Sequence, residues 1–140
     1  MPAREDGTEP ILDDEILYRR VPVSMEWYDR EKNPPLNYFA FCPTKNDKTR
    51  LSVYRGKYKT AQQVAASLRP GARYYVAELR AGDLLSKKIS VVPAPLPDDP
   101  GHAEIPDLTY QNKDTSRAIE IQKTLAEELC LCVHGPFPPQ

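Results

Sequence analysis

Prolines set the limits on what this chain can fold into. There are 15 of them in 140 residues, about twice the usual share. Proline fixes φ and lacks a backbone N–H, so it stops helices and sits only at edges, bulges or turns of a sheet. Pro22 closes the run 15–21, Pro43 closes the run 38–42, and Pro70-Gly71 ends a helical stretch. Pro93, Pro95, Pro97 and Pro100 make the segment between two further runs a loop. Only short regular elements fit between these stops.

The runs read mostly as strands. Residues 15–21, 38–42, 51–55, 89–92 and 102–105 are short and rich in β-formers. The stretch 72–80 is the most strand-like, with Tyr75, Ala77 and Leu79 alternating against Tyr74, Val76 and Glu78. Two segments read as helices. Thr60 and Gln63 form a capping box ahead of Ala61, Val64, Ala65 and Leu68. Asp114 is the expected cap of a helix over 115–129, where Ala118, Ile121, Leu125 and Leu129 recur at helical spacing. Residues 82–87 suit a short helical turn. The expected fold is α+β: a small, mostly antiparallel twisted sheet with two main helices packed on one side of it. Residues 14–134 form a single domain, 1–13 a flexible acidic arm and 135–140 a proline-rich tail.

Composition narrows the class. A hydrophobic share of 40% with 28% charged residues suits a globule, and a net charge of −1 excludes a general polycation for nucleic acid. No apolar run is long enough for a bilayer, and no basic stretch leads into an apolar one, so no membrane partner is expected. Cys42, Cys130 and Cys132 are an odd number, which points to a reducing cytoplasm rather than a disulfide framework.

Polar residues on the strands are the site candidates. Alternation puts Leu17, Arg19 and Val21 on one face and Tyr18 and Arg20 on the other, so one arginine turns inward. A buried guanidinium needs an anion or several carbonyls, and either a phosphate or carboxylate ligand or a structural pair with Glu78, Glu104 or a backbone carbonyl meets that need. Ser52 and Tyr54 share the face opposite Leu51 and Val53, where the hydroxyl suits a ribose or phosphate and the ring suits stacking. Lys45, Lys48, Arg50, Arg55, Lys57 and Lys59 surround that strand with Asp47 as the opposing charge, giving a ligand-facing basic hairpin or a solvated edge. His102, after Asp98-Asp99-Pro100-Gly101, is an acid–base candidate or a loop anchor. Cys130-x-Cys132-x-His134 is tighter than the usual zinc spacings and would need Cys42 or His102 to complete a tetrahedron. The cysteines read as small buried hydrophobes at a helix end, and no metal centre is expected.

The ordered words D-x-x-L-Y-R-R-V-P, F-x-P-T, L-S-V-Y-R, T-x-x-x-V-A and H-A-x-I, spanning 14–105, resemble those of a group of small, uncharacterised bacterial proteins. More distantly the chain resembles the ADP-ribosyltransferase-like fold, including the RES-type NAD-degrading toxins. The likeness rests on Leu17-Tyr18-Arg19, then Leu51-Ser52-Val53-Tyr54 before Thr60-Ala61-Gln62-Gln63-Val64-Ala65, then Tyr74-Tyr75-Val76-Ala77-Glu78-Leu79 and the Gly82-Asp83 turn. It implies a cleft for NAD as substrate, with no separate cofactor, in a toxin–antitoxin or defence context. The resemblance also implies a late catalytic glutamate; the chain departs from the family's pattern there, and Glu104 is the candidate for it.

The functional expectation is a nucleotide-like or NAD-like ligand held by Arg19 or Arg20, Ser52, Tyr54 and Arg55, with His102 or Glu104 as acid–base. Its catalytic form cleaves NAD or transfers ADP-ribose. The alternative is a non-catalytic protein-interaction module, an immunity or toxin-partner subunit, using the basic hairpin and the Trp27-Tyr28 loop. A nucleic-acid surface is the least expected of the three.

Overall fold

The computed structural model describes residues 9–47, 50–66 and 73–137. Among these residues six strands form one antiparallel sheet. They are β1 (Ile16–Pro22), β2 (Arg50–Arg55), β3 (Tyr74–Arg80), β4 (Val92–Pro93), β5 (His102–Thr109) and β6 (Cys132–Phe137), in the spatial order β4-β5-β2-β1-β3-β6. The α+β architecture expected from the sequence is the one observed. Among the described residues no helix is long and apolar enough to cross a membrane.

β1 is the organising strand. It pairs with β3 along its whole length, from Ile16 opposite Arg80 to Pro22 opposite Tyr74. Its alternation buries Leu17, Arg19 and Val21 on one side. That side carries the main core, in which Leu17, Val21, Leu51, Val53 and Ile105 of the sheet meet Ile121, Leu125 and Leu129. The last three lie on α3 (Ser116–Lys123) and the wider π-helical turns of Thr124–Leu129 that continue it. Thr115, rather than Asp114, caps α3, its hydroxyl accepting from the Ala118 amide. Threonine and aspartate are near-equivalent caps, and the chain enters the helix one residue later than the aspartate required.

The second face is covered too, which departs from the expectation that the helices share one side. α1 (Ala61–Ala65) sets Val64 and Ala65 on Val76, with Tyr18, Tyr54, Tyr74 and Phe137 around them. Its capping box is formed as read, with Thr60 Oγ1 accepting from the Gln63 amide and Gln63 Oε1 accepting from the Thr60 amide. Leu68 and the Pro70-Gly71 stop lie outside the described residues. The short α2 (Ala81–Ser86) follows β3 directly.

Four segments differ from their sequence reading. Tyr38–Phe41 is a 3-10 turn rather than a strand, because the Asn37 side chain caps it and Ala40 and Phe41 plug the core. The strand expected over 89–92 shrinks to Val92–Pro93. Residues 135–137, expected to open a tail, belong instead to β6, which runs on through Gly135 and Pro136 to Phe137 along the outer edge of β3. An edge strand needs only one row of hydrogen bonds, so a proline is tolerated there. The flexible arm expected over 1–13 is described from Glu9 onward, and there it is tied down: Arg55 donates to the carbonyls of Glu9 and Pro10.

Candidate functional site

The central pair of strands does not stay paired. β1 and β2 are joined at Leu17–Arg55 and Tyr18–Tyr54, and the ladder then stops although both strands continue. Continued, that register would set Arg20 opposite Ser52. Instead the Ser52 amide donates to Asp47 Oδ1 at 3.0 Å, and the Ser52 carbonyl accepts from Arg19 Nη1 at 2.9 Å. An ion pair has replaced a stretch of β-ladder.

That pair is bidentate and buried. Arg19 Nη1 and Nη2 donate to the two Asp47 oxygens at 2.7 and 3.2 Å, and Nε donates to the Ala40 carbonyl at 3.0 Å. Asp47 also accepts from the amide and hydroxyl of Thr44. Burial pushes the Asp47 carboxyl up, but the Arg19 charge and the hydrogen bonds from Arg19, Thr44 and Ser52 outweigh it and hold the group below its ordinary range. Arg19 is therefore the structural arginine. Its partner is Asp47 with two carbonyls, not Glu78 or Glu104.

The strands splay to leave a crevice of about 210 Å³, lined by Arg20, Ser52 and Tyr54 together with Trp27, Tyr74 and the outer side of the Arg19–Asp47 pair. Arg20 is held for a different task. Its Nε donates to the Val64 carbonyl at 2.8 Å, and its guanidinium carbon lies 5.3 and 5.4 Å from the ring centroids of Tyr54 and Tyr74. Among the described residues no carboxylate lies within ion-pair distance of it. A guanidinium held in this way has the chemistry to take an anion.

Ser52 connects the crevice to β5. Its hydroxyl lies 2.9 Å from His102 Nε2, and His102 Nδ1 lies 2.8 Å from the Ala94 carbonyl. A carbonyl can only accept, so Nδ1 carries a proton, and in the singly protonated ring Nε2 accepts from the Ser52 hydroxyl. This is the geometry of a hydroxyl set on a base whose ring is oriented from behind. Glu104 stands directly across from Ser52 in the β2–β5 ladder, with its carboxylate 3.7 Å from Arg50. Tyr54 is less free than its exposure on that face implied. Its ring carries Arg20 on one contact, Lys59 Nζ at 5.4 Å on another, and meets His102 edge-on at 5.9 Å.

Other candidates are placed elsewhere. Arg55 is fully buried, donating to both Glu15 oxygens at 2.7 Å as well as to the Glu9 and Pro10 carbonyls, and lies away from the crevice. The basic hairpin is answered by acids from other segments: Lys57 pairs with Glu9, Lys59 with Asp99 and Arg50 with Glu104, while Lys48 lies outside the described residues. Trp27 and Tyr28 are half-buried against the core, Tyr28 packing on the Tyr75 ring at 4.8 Å. Asp47 and Tyr74 had not been read as site residues. Alternation along β3 already put Tyr74 with Val76 and Glu78, but only the register with β1 brings it to Arg20. Cys130 packs against the core, and burial pushes its thiol up to about 11.

No family model, curated protein or solved structure matches the chain. The crevice therefore has to be read from its own chemistry.

Proposed function

We propose that this protein binds a nucleotide or NAD-like ligand in the crevice between β1 and β2, with Arg20 holding its phosphate. The observation that carries this reading is the Arg20 guanidinium, fixed by Val64 and two tyrosine rings, without a carboxylate partner among the described residues and facing a crevice with a tryptophan and a serine. Planar guanidinium forks match phosphate oxygens, and an aromatic wall beside them suits a base or sugar. A space of about 210 Å³ is below the roughly 300–1,000 Å³ of pockets that enclose a whole ligand. It seats one phosphate-bearing moiety, and the remainder of a dinucleotide extends past Trp27 and Tyr74.

The catalytic form of this reading cleaves the N-glycosidic bond of NAD. The transition state is cationic at the sugar, so a carboxylate is required, and Glu104, across from Ser52 in the β2–β5 ladder and just outside the lining of the crevice, is the candidate. The Ser52–His102 pair supplies a polarised hydroxyl beside it.

Ligand-observed NMR with NAD, ADP-ribose and ATP, followed over hours, tests both levels. Line broadening with the wild type that disappears in Arg20→Ala supports the crevice, and free nicotinamide makes the protein an enzyme. Binding unchanged by Arg20→Ala, or no binding of any of the three, overturns the reading.

A further inference from the structure

A second polar cluster lies on the same face of the sheet, toward its β6 edge, and none of its members lines the crevice. We propose that Glu78, Cys132 and His134 form a zinc-binding centre with one open coordination position.

The β3–β6 register creates it. Glu78 is directly opposite Cys132, and Val76 is opposite His134. Residues two apart on a strand share a face, so the thiol, the imidazole and the carboxylate all project from the same side. The donor atoms lie within 4.8 Å of one another, with Cys132 Sγ 3.5 Å from His134 Nε2 and His134 Nε2 2.7 Å from Glu78 Oε1. Tetrahedral zinc with ordinary bond lengths separates its ligand atoms by roughly 3.3–3.7 Å. The sulfur–nitrogen distance already fits. The shorter contact is a hydrogen bond that a metal replaces after a small outward movement of one half-exposed side chain.

Donor chemistry selects the ion. A thiolate and an imidazole favour zinc over magnesium or calcium, and a thiolate with a carboxylate neutralises a divalent charge. Three protein ligands leave the fourth position to water or a ligand atom, as in zinc sites that exchange or react. Cys130 is not part of the set, since its Sγ donates to the Cys132 carbonyl at 3.4 Å and its side chain packs on the core. The C-x-C-x-H word therefore supplies two ligands, and the third comes from a strand more than 50 residues earlier in the chain, at position 78.

Cobalt(II) titration of the reduced protein is the test. The expected result is a thiolate-to-cobalt charge-transfer band with tetrahedral d–d bands, saturating at one equivalent and displaced by zinc. Cys132→Ser removes the charge-transfer band, His134→Gln lowers affinity at least tenfold, and Cys130→Ala retains both. Alkylation of the unaltered protein gives a second readout independent of variant folding: zinc slows labelling of Cys132 but not of Cys42. Absence of the band in the wild type, its persistence in Cys132→Ser, or equal labelling with and without zinc overturns the proposal.

Discussion

Arg19 and Asp47 together take the place of the backbone ladder that β1 and β2 abandon beyond Tyr18 and Tyr54. The amide and carbonyl of Ser52, which point toward β1, find their partners in this ion pair instead of in Arg20. Buried backbone groups have to be satisfied, so the sheet can open only because the pair is there. The opening is what exposes Ser52 and Arg20 to a common space.

Removing either partner is therefore expected to destabilise the fold strongly. Asp47→Ala leaves the buried Arg19 guanidinium with two carbonyls but no counter-charge, and the Ser52 amide without its acceptor, and should cost about 3–5 kcal/mol. Arg19→Met should cost a similar amount. The midpoint of urea unfolding measures both, and a change of less than about 1 kcal/mol would mean that the pair is not what holds the strands apart.

Acid should act through the same group. The Asp47 carboxyl is held below its ordinary range in the folded protein, so as pH falls into that range the unfolded chain binds more protons than the native one. Stability contributed by this group is complete above the ordinary carboxylate range and is lost as pH falls through the depressed folded value. Unfolding free energies measured from pH 7 downward should fall more steeply below about pH 4 in the wild type than in Asp47→Asn.

Much of the scaffold was legible because its signals are local. The Thr60–Gln63 capping box lies within four residues and forms as read. The alternation of Leu17, Arg19 and Val21 fixed which residues share a face. What was not legible depended on register across the chain. Arg19 and Arg20 are equivalent in sequence, and it is Asp47, 28 positions beyond Arg19, that makes Arg19 the ion-paired one while Arg20 is held by the Val64 carbonyl and two tyrosine rings. Glu78 joins Cys132 and His134 only through the β3–β6 pairing, and β6 itself was hidden by Gly135 and Pro136, which signal a break everywhere but on an edge.

Arg55 should behave as an anchor and not as a ligand-binding residue. Arg55→Ala releases the chain at Glu9, Pro10 and Glu15, and should lower the free energy of opening that segment by about 2 kcal/mol. Limited proteolysis should then cut ahead of β1 faster than in the wild type. A variant that binds nucleotide worse while its N-terminal segment stays equally protected would reverse this assignment.

The Ser52–His102 contact makes a prediction about a tautomer. Long-range ¹H–¹⁵N spectra should show the singly protonated His102 ring with its proton on Nδ1, donating to the Ala94 carbonyl. Ser52→Ala removes the donor to Nε2 and should cost about 1–3 kcal/mol while leaving that tautomer in place. A ring protonated on Nε2 would mean that the Ser52 hydroxyl accepts, and would end its reading as a polarised hydroxyl.

The crevice itself is tested most directly by backbone and indole ¹H–¹⁵N shifts during titration with NAD and with ADP-ribose. Ligand in the opening between β1 and β2 should move the amides of Arg20, Ser52 and Tyr54 and the Trp27 indole together, with a single saturation curve. Shifts confined to other surfaces, or no shifts with either ligand, would contradict the account.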